Sequence, residues 1–166
     1  MHLSSRITPC LWFDSQAEEA ARFYAGIFRN SRIVSTSHYS EAGQEVHRHK
    51  PGTVMTVAFE IEGQSFTALN GGSAFKFNEA VSFQVMCDDQ DEVDDYWDRL
   101  SAGGDPQAQQ CGWLKDRFGV SWQVVPRVLH EMLTDPDMGK SQRTMSAMLA
   151  MKKLDIAELM RAYQNP

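Results

Sequence analysis

Apolar and polar positions alternate at period two along "RITPCLWF" (6–13) and "AVSFQVMC" (80–87). Both runs are rich in β-branched and aromatic residues, and the pattern predicts two strands. Each passes directly into helical spacing. In "DSQAEEAARFYAGIF", from Asp14, residues Ala20, Phe23, Tyr24 and Ile27 share one face; in "DDQDEVDDYWDRL", from Asp88, Val93, Tyr96, Trp97 and Leu100 fall at i, i+3, i+4 and i+7. Ser15 and Asp89 are each followed three residues later by a glutamate. That spacing predicts a capping box at both helix starts, in which the side-chain oxygen and the carboxylate satisfy orphan N–H groups.

The two segments echo each other. An offset of 74 carries Asp14 onto Asp88, Gln16 onto Gln90, Glu18 onto Glu92 and Phe23 onto Trp97. Farther along, "EGQSFTAL" and "FGVSWQVV" align Gly63 with Gly119, Ser65 with Ser121, Phe66 with Trp122 and Thr67 with Gln123, at an offset of 56. Between helix and closing strand lie "SRIVSTSHYS" and "TVMTVAFEIEG" in the first copy and the shorter "PQAQQCGWLKDRFG" in the second. The pattern predicts an α+β fold of paired β-α-β-β-β modules, at 6–72 and 80–126, within a single domain spanning 1–166. The smaller offset implies that the second copy has lost loop length. The polar "SEAGQEVHRHKPG" (40–52) reads as a long mobile loop or hairpin. After Pro126, Leu, Met and Ala at helical spacing predict a C-terminal helical tail over 127–166, broken near "DPDMG", whose Met-rich stripe serves as core or as an oligomer contact.

Composition narrows the classes. A chain of 166 residues, 42% hydrophobic and 23% charged, suits one globular core, and no apolar run approaches the roughly 18 residues that cross a bilayer. The start, "MHLSSRITPCLWF", has no basic segment leading into an apolar stretch and a cleavage site, so a cytoplasmic protein is expected. A net charge of −6 without a long Lys/Arg cluster argues against nucleic acid as partner. Cys10, Cys87 and Cys111 match no zinc spacing and read as reduced, packed thiols.

The segments "ITPCLWFDSQAEEAARFYAGIF", "FTALNGG", "NEAVSFQV" and "CGWLKDRFGVSWQVVP", in that order, resemble the vicinal oxygen chelate superfamily. Within it they are similar to the PhnB-like, glyoxalase-related branch often labelled 3-demethylubiquinone-9 3-methyltransferase. The resemblance covers nearly the whole chain. It implies two modules whose sheets curl around a shared cavity, with helices outside, and commonly a homodimer. Glyoxalases and dioxygenases of the superfamily hold a metal through His or Glu on the first and last strand of each module. Carried through the repeat, those places fall at Thr8, Thr67, Ser82 and Gln123. Hydroxyls and one amide are poor donors for a divalent transition ion, so neither metal nor other cofactor is expected.

The same resemblance explains a glutamine inside the apolar "FGVSWQVVP". Gln123 would point into the cavity, where an amide offers donor and acceptor without the cost of burying a charge. By alternation Cys10 and Trp12 share the face of Thr8, and Gln84 and Met86 that of Ser82. Leu11, Phe13, Val81, Phe83, Val85, Trp122 and Val124 would pack under the helices. The expected ligand-binding residues are therefore Thr8, Trp12, Thr67, Ser82, Gln84 and Gln123. Asn70 reads as a turn residue, and Trp113, Lys115 and Asp116 either rim the cavity or form a cross-strand cluster. Glu45, His47 and His49 have metal-compatible spacing if extended, against the plainer reading of a solvated loop.

Function stays open between classes. The residues suit a module that sequesters a small polar or aromatic molecule, or a metal-independent enzyme that stabilises charge through hydrogen bonds. Alternatives are a metal-dependent lyase, isomerase or dioxygenase with displaced ligands such as His47 and His49, and methyl transfer. The last lacks the Gly-rich turn after an N-terminal strand and the alternating strand–helix pattern expected of a nucleotide-type cofactor fold.

Overall fold

The computed structural model describes residues 6–165 and divides the chain into two compact units, one ending at Phe77 and the other beginning at Asn78. In the first, β1 (Cys10–Phe13) leads into α1 (Ala17–Ile27), followed by β2 (Arg32–His38), the single turn α2 (Gln44–His47), β3 (Val54–Ile61) and β4 (Gln64–Asn70). The strands lie in the order β1-β4-β3-β2, with β1 parallel to β4 and the other pairs antiparallel. A two-residue turn joins β3 to β4. Glu62 (φ 47°) and Gly63 (φ 79°) are both left-handed, the conformation whose twist matches a tight hairpin.

One face of this sheet is dry. Leu11, Phe13, Val57, Phe59, Phe66 and Ala68 are buried, as are Ala17, Ala20, Ala21, Tyr24 and Ile27 of α1. The fully buried Tyr24 stacks on Phe59 with ring centroids 6.1 Å apart, and burial of such a ring contributes about 2 kcal/mol. Phe23, expected on this face, is only half-buried.

The second unit contains β5 (Ser82–Cys87), α3 (Gln90–Ser101), β6 (Trp113–Lys115) and β7 (Ser121–Pro126), then α4 (Arg127–Leu133), α5 (Met138–Ala150) and α6 (Ile156–Gln164). Its sheet has three strands in the order β5-β7-β6. The α+β class and the doubled strand-helix start are as expected, but the strand corresponding to β2 is missing among the described residues. A short 3-10 turn, Pro106–Ala108, stands in that stretch of chain. The shorter second copy has thus lost a strand rather than loop length alone. Val85, Val124, Trp122 and Leu114 are buried with Val93, Trp97 and Leu100 of α3.

The strands start later than the alternation suggested. Residues 6–9 precede β1 and leave Ile7 84% exposed; Val81, expected beneath a helix, precedes β5 and is 68% exposed. The capping boxes also part company. Asp89 accepts from the backbone N–H of Glu92 and the Glu92 carboxylate accepts from that of Asp88, so the second box forms. At α1 the cap position is Gln16, without a side-chain bond, and Ser15 does not cap. The Ala17 N–H is taken instead by Asn70 Oδ1 at 2.8 Å.

The tail breaks twice, at 134–137 as expected and again at 151–155. It packs into the second unit through Leu129, Met132, Leu154 and Leu159, with Met148, Met151 and Met160 against them, so much of the Met-rich stripe is core. Met138, Met145 and Leu149 of α5 remain exposed. The link between α5 and α6 is clasped: Cys111 and Gly112 donate their backbone N–H groups to Met151 and Lys152, each over 2.8 Å. Gln90 on α3 donates to the Leu154 carbonyl and accepts from the Ile156 N–H. No helix of the described residues is long and apolar enough to cross a membrane.

Candidate functional site

The sheet registers preserve the repeat. In the first unit Cys10 pairs with Thr67 across β1 and β4; in the second Gln84 pairs with Gln123 across β5 and β7. The offsets of 74 and 56 found in the sequence carry the first pair onto the second. Since neighbouring strands in register present paired residues on one face, Cys10, Trp12, Thr67 and Leu69 share the side of the first sheet away from α1. Ser82, Gln84, Met86, Gln123 and Trp113, which pairs with Gln123, share the corresponding side of the second.

On that second face three predicted residues come together. Gln123 Nε2 donates to Ser82 Oγ over 2.8 Å, and Gln84 Nε2 donates to Gln123 Oε1 over 3.3 Å. Gln84 is exposed; Ser82, Gln123 and Trp113 are half-buried. The glutamine in the apolar strand is therefore the middle of a side-chain chain on the open face. Lys115, on the same face, is ion-paired with Glu79, and this bond, helped by Glu79's backbone, holds the Glu79 carboxyl below its ordinary range. Asp116 does not rim a face. It is buried, with Oδ1 accepting from the Phe118 and Val120 N–H groups and Oδ2 from Trp122 Nε1, so it ties the turn to the strand. Gly119, at φ 87°, completes that turn as Gly63 completes its counterpart.

In the first unit, Trp12 is half-buried and its indole N–H donates to the Gly72 carbonyl over 2.8 Å, with Phe75 edge-on at 4.9 Å. Gly71 makes room for the ring: a β-carbon there would stand 2.2 Å from Trp12 Cζ2. Thr67 is half-buried, and its backbone N–H donates to the Pro9 carbonyl. Thr8 precedes β1 and its Oγ1 is buried without a hydrogen-bond partner. Asn70 is no turn residue but the buried end of β4, donating to the Val54 carbonyl as well as capping α1, while its own carbonyl accepts from the Tyr39 hydroxyl.

Cys10 is exposed rather than packed, though partial burial raises its thiol pKa. Cys87 is buried, and desolvation, with the carboxylates of Glu92, Asp88 and Asp89, pushes its thiol up to about 12.

The donor set does not fit a chelated transition ion. Thr8, Thr67, Ser82 and Gln123 supply hydroxyls and an amide where imidazole, thiolate or carboxylate is wanted, and two of them are bonded to each other. Among the described residues there is no group of three or more His, Cys, Asp or Glu that could hold a metal. Glu45, His47 and His49 are not extended, since α2 coils the first two into a helical turn. Tyr39 stacks on His49 at 4.3 Å and lies tilted against His47 at 4.6 Å, and His47 Nδ1 accepts from the His49 N–H. The 40–52 segment therefore has local structure that polarity alone did not announce. Sequence reasoning also missed an open groove of about 770 Å³ between α5 and α6, lined by Gln142, Arg143, Ser146, Glu158 and Arg161; none of the predicted site residues lines it.

Two half-sheets with this repeated register, each backed by a helix, define a glyoxalase-like architecture, and known proteins share it. A family model described as 3-demethylubiquinone-9 3-methyltransferase matches residues 5–125. A PhnB protein from Bacillus cereus carrying the same description is 36% identical, over 74% of this chain and 99% of its own, with a TM-score of 0.62. The chain belongs to this 3-demethylubiquinone-9 3-methyltransferase-like (PhnB) family. Protein PA1353 from Pseudomonas aeruginosa (19% identity, 74% and 97% coverage, TM-score 0.58) shares the fold. So does the fosfomycin resistance protein FosX from Mesorhizobium loti (15%, 81% and 100%, 0.54). None of the curated proteins matches the chain. The family match ends at residue 125, so α4, α5 and α6 lie beyond it.

Proposed function

We propose that this protein binds a small polar or aromatic molecule without a metal ion, with candidate contacts at Thr8, just before β1, and at Trp12 and Thr67 in one unit, and at Ser82, Gln84 and Gln123 on the open strand face of the other. The observation that carries the reading is the bonded chain Gln84–Gln123–Ser82, a run of uncharged donors and acceptors at and beside places where the superfamily's chelating members hold an ion. Such groups orient a neutral ligand and cost little to desolvate compared with a charge. They supply hydrogen bonds rather than a strong acid or base, which favours sequestration over turnover. In this reading the protein works as a cytoplasmic homodimer.

The test uses untagged purified protein, analysed for metal and, after denaturation, by mass spectrometry for retained small molecules. A retained molecule lost from Gln123→Leu, with metal well below stoichiometric, is the expected result. Stoichiometric zinc, nickel, manganese or iron overturns the metal-free reading. Conversion of the retained molecule to a product heavier by one CH₂ would restore the methyl transfer that the family's description names.

A further inference from the structure

Nothing in the amide chain of the second sheet fixes its direction. In one direction Gln84 Nε2 donates to Gln123 Oε1 and Gln123 Nε2 donates to Ser82 Oγ. Turning both amide groups by half a rotation gives a second complete chain on the same atoms' positions: the Ser82 hydroxyl donates to Gln123 Oε1, and Gln123 Nε2 donates to Gln84 Oε1. The inner groups are equally satisfied either way, because a hydroxyl and a carboxamide each donate and accept. Only the ends differ. The first direction leaves a hydroxyl hydrogen at Ser82 and, at Gln84, a carbonyl oxygen beside the remaining N–H; the second leaves lone pairs at Ser82 and both N–H groups at Gln84. The charged side chain that shares the face, Lys115, is already paired with Glu79.

Two further observations shape what could lie there. Ser82 and Gln84 are alternate residues on one face, about 7 Å apart along the strand. Trp113 stands opposite Gln123 in the antiparallel register and is half-buried, so a flat apolar surface borders the chain.

We propose, resting on the binding function above, that this face selects a neutral planar molecule with a donor and an acceptor on adjacent atoms, as in a lactam or other cyclic amide. The ring lies against Trp113, its C=O and N–H meet Ser82 and Gln84, and the chain takes whichever direction completes both bonds. A ring with one polarity alone completes one bond and forgoes the other. That difference corresponds to about tenfold in affinity.

The experiment titrates the full ¹⁵N-labelled chain with 2-pyridone, which carries adjacent N–H and C=O groups, and with N-methyl-2-pyridone, which only accepts. The side-chain amide resonances of Gln84 and Gln123 and the indole resonance of Trp113 are followed. The expected result is about tenfold tighter binding of 2-pyridone with both amides shifted. In Gln123→Leu, with the Trp122 indole resonance unchanged as the mark of a folded sheet, the two probes come within twofold of each other. Should that variant not fold, Ser82→Ala carries the same expectation. Equal affinities in the unsubstituted protein, with Trp113 shifted and the amides still, overturn the inference while leaving the broader binding function standing. Absence of any shift from either probe overturns it as well. Failure of the broader function is read separately, as no molecule retained by the purified protein.

Discussion

Asn70, the last residue of β4, accepts the backbone N–H of Ala17 at 2.8 Å and so caps a helix that begins 53 residues earlier in the chain. Its amide nitrogen reaches the Val54 carbonyl at 3.1 Å, so one buried side chain joins α1, β3 and β4. Replacing it by alanine removes a buried helix cap and deprives the half-buried Val54 carbonyl of this donor. Asn70→Ala should cost about 2–3 kcal/mol in chemical denaturation. Asn70→Asp, which keeps the acceptor for Ala17 beside the positive helix end, should cost less. Equal losses in the two variants would mean that the cap matters little.

The seat of Trp12 depends on a missing side chain. A β-carbon at residue 71 would lie 2.2–2.5 Å from three indole atoms, so Gly71→Ala must push the ring aside and break its bond to the Gly72 carbonyl. Overpacking of this kind costs about 1–3 kcal/mol. The expected signature is a changed near-ultraviolet circular dichroism spectrum with unchanged far-ultraviolet signal, together with weaker retention of whatever molecule the protein carries.

Asp116 receives three N–H groups, two from backbone and one from Trp122. An asparagine can accept on only one of its two side-chain atoms, so Asp116→Asn sets an amide N–H against at least one of these donors. A loss of about 3 kcal/mol is expected, measured as a lower urea midpoint with unaltered slope. A neutral outcome would remove Asp116 from the account of how the turn before β7 is held.

The thiols should separate by reactivity. With Cys87 pushed up to about 12, roughly one molecule in ten thousand carries its thiolate at pH 8, whereas Cys10 is exposed. Iodoacetamide on the folded protein should therefore modify Cys10 well before Cys87, read by peptide mass spectrometry. Because the folded value of Cys87 lies above the ordinary thiol value of 9.0, its neutral thiol favours the folded state below pH 9, and that contribution is lost as pH rises from 9 towards 12. Cys87→Ala should flatten this alkaline decline in melting temperature.

What was legible in the sequence was local or periodic. The offsets between Asp14 and Asp88 and between Thr67 and Gln123 survive as strand registers, because a residue's place on a pleated face follows from counting in twos. The box at Asp89 and Glu92 forms because both partners lie within one helical turn. The box at Ser15 does not form, the helix start shifts to Gln16, and its first N–H is capped by a more distant group, Asn70, on which nothing in the spacing of residues 15–18 reports. The lost strand of the second sheet and the second break in the tail have the same origin. The link at 151–155 is held by Gln90, Cys111 and Gly112, contacts with no periodic trace. At the candidate site, alternation placed Ser82, Gln84 and Gln123 on one face, but not their bonding order, which depends on side-chain rotamers.

The clasp on the tail also bears on how the protein comes into being. Leu154 and Leu159 complete the buried cluster begun by Leu129 and Met132, yet they leave the ribosome after everything else in that cluster. The first unit has all its strands and its helix in hand by Phe77 and can fold as it emerges, whereas the second must wait with Leu129 and Met132 uncovered. The interval of greatest exposure to aggregation or to chaperone capture therefore lasts until residues 154–159 have been made, on the half that bears the amide chain.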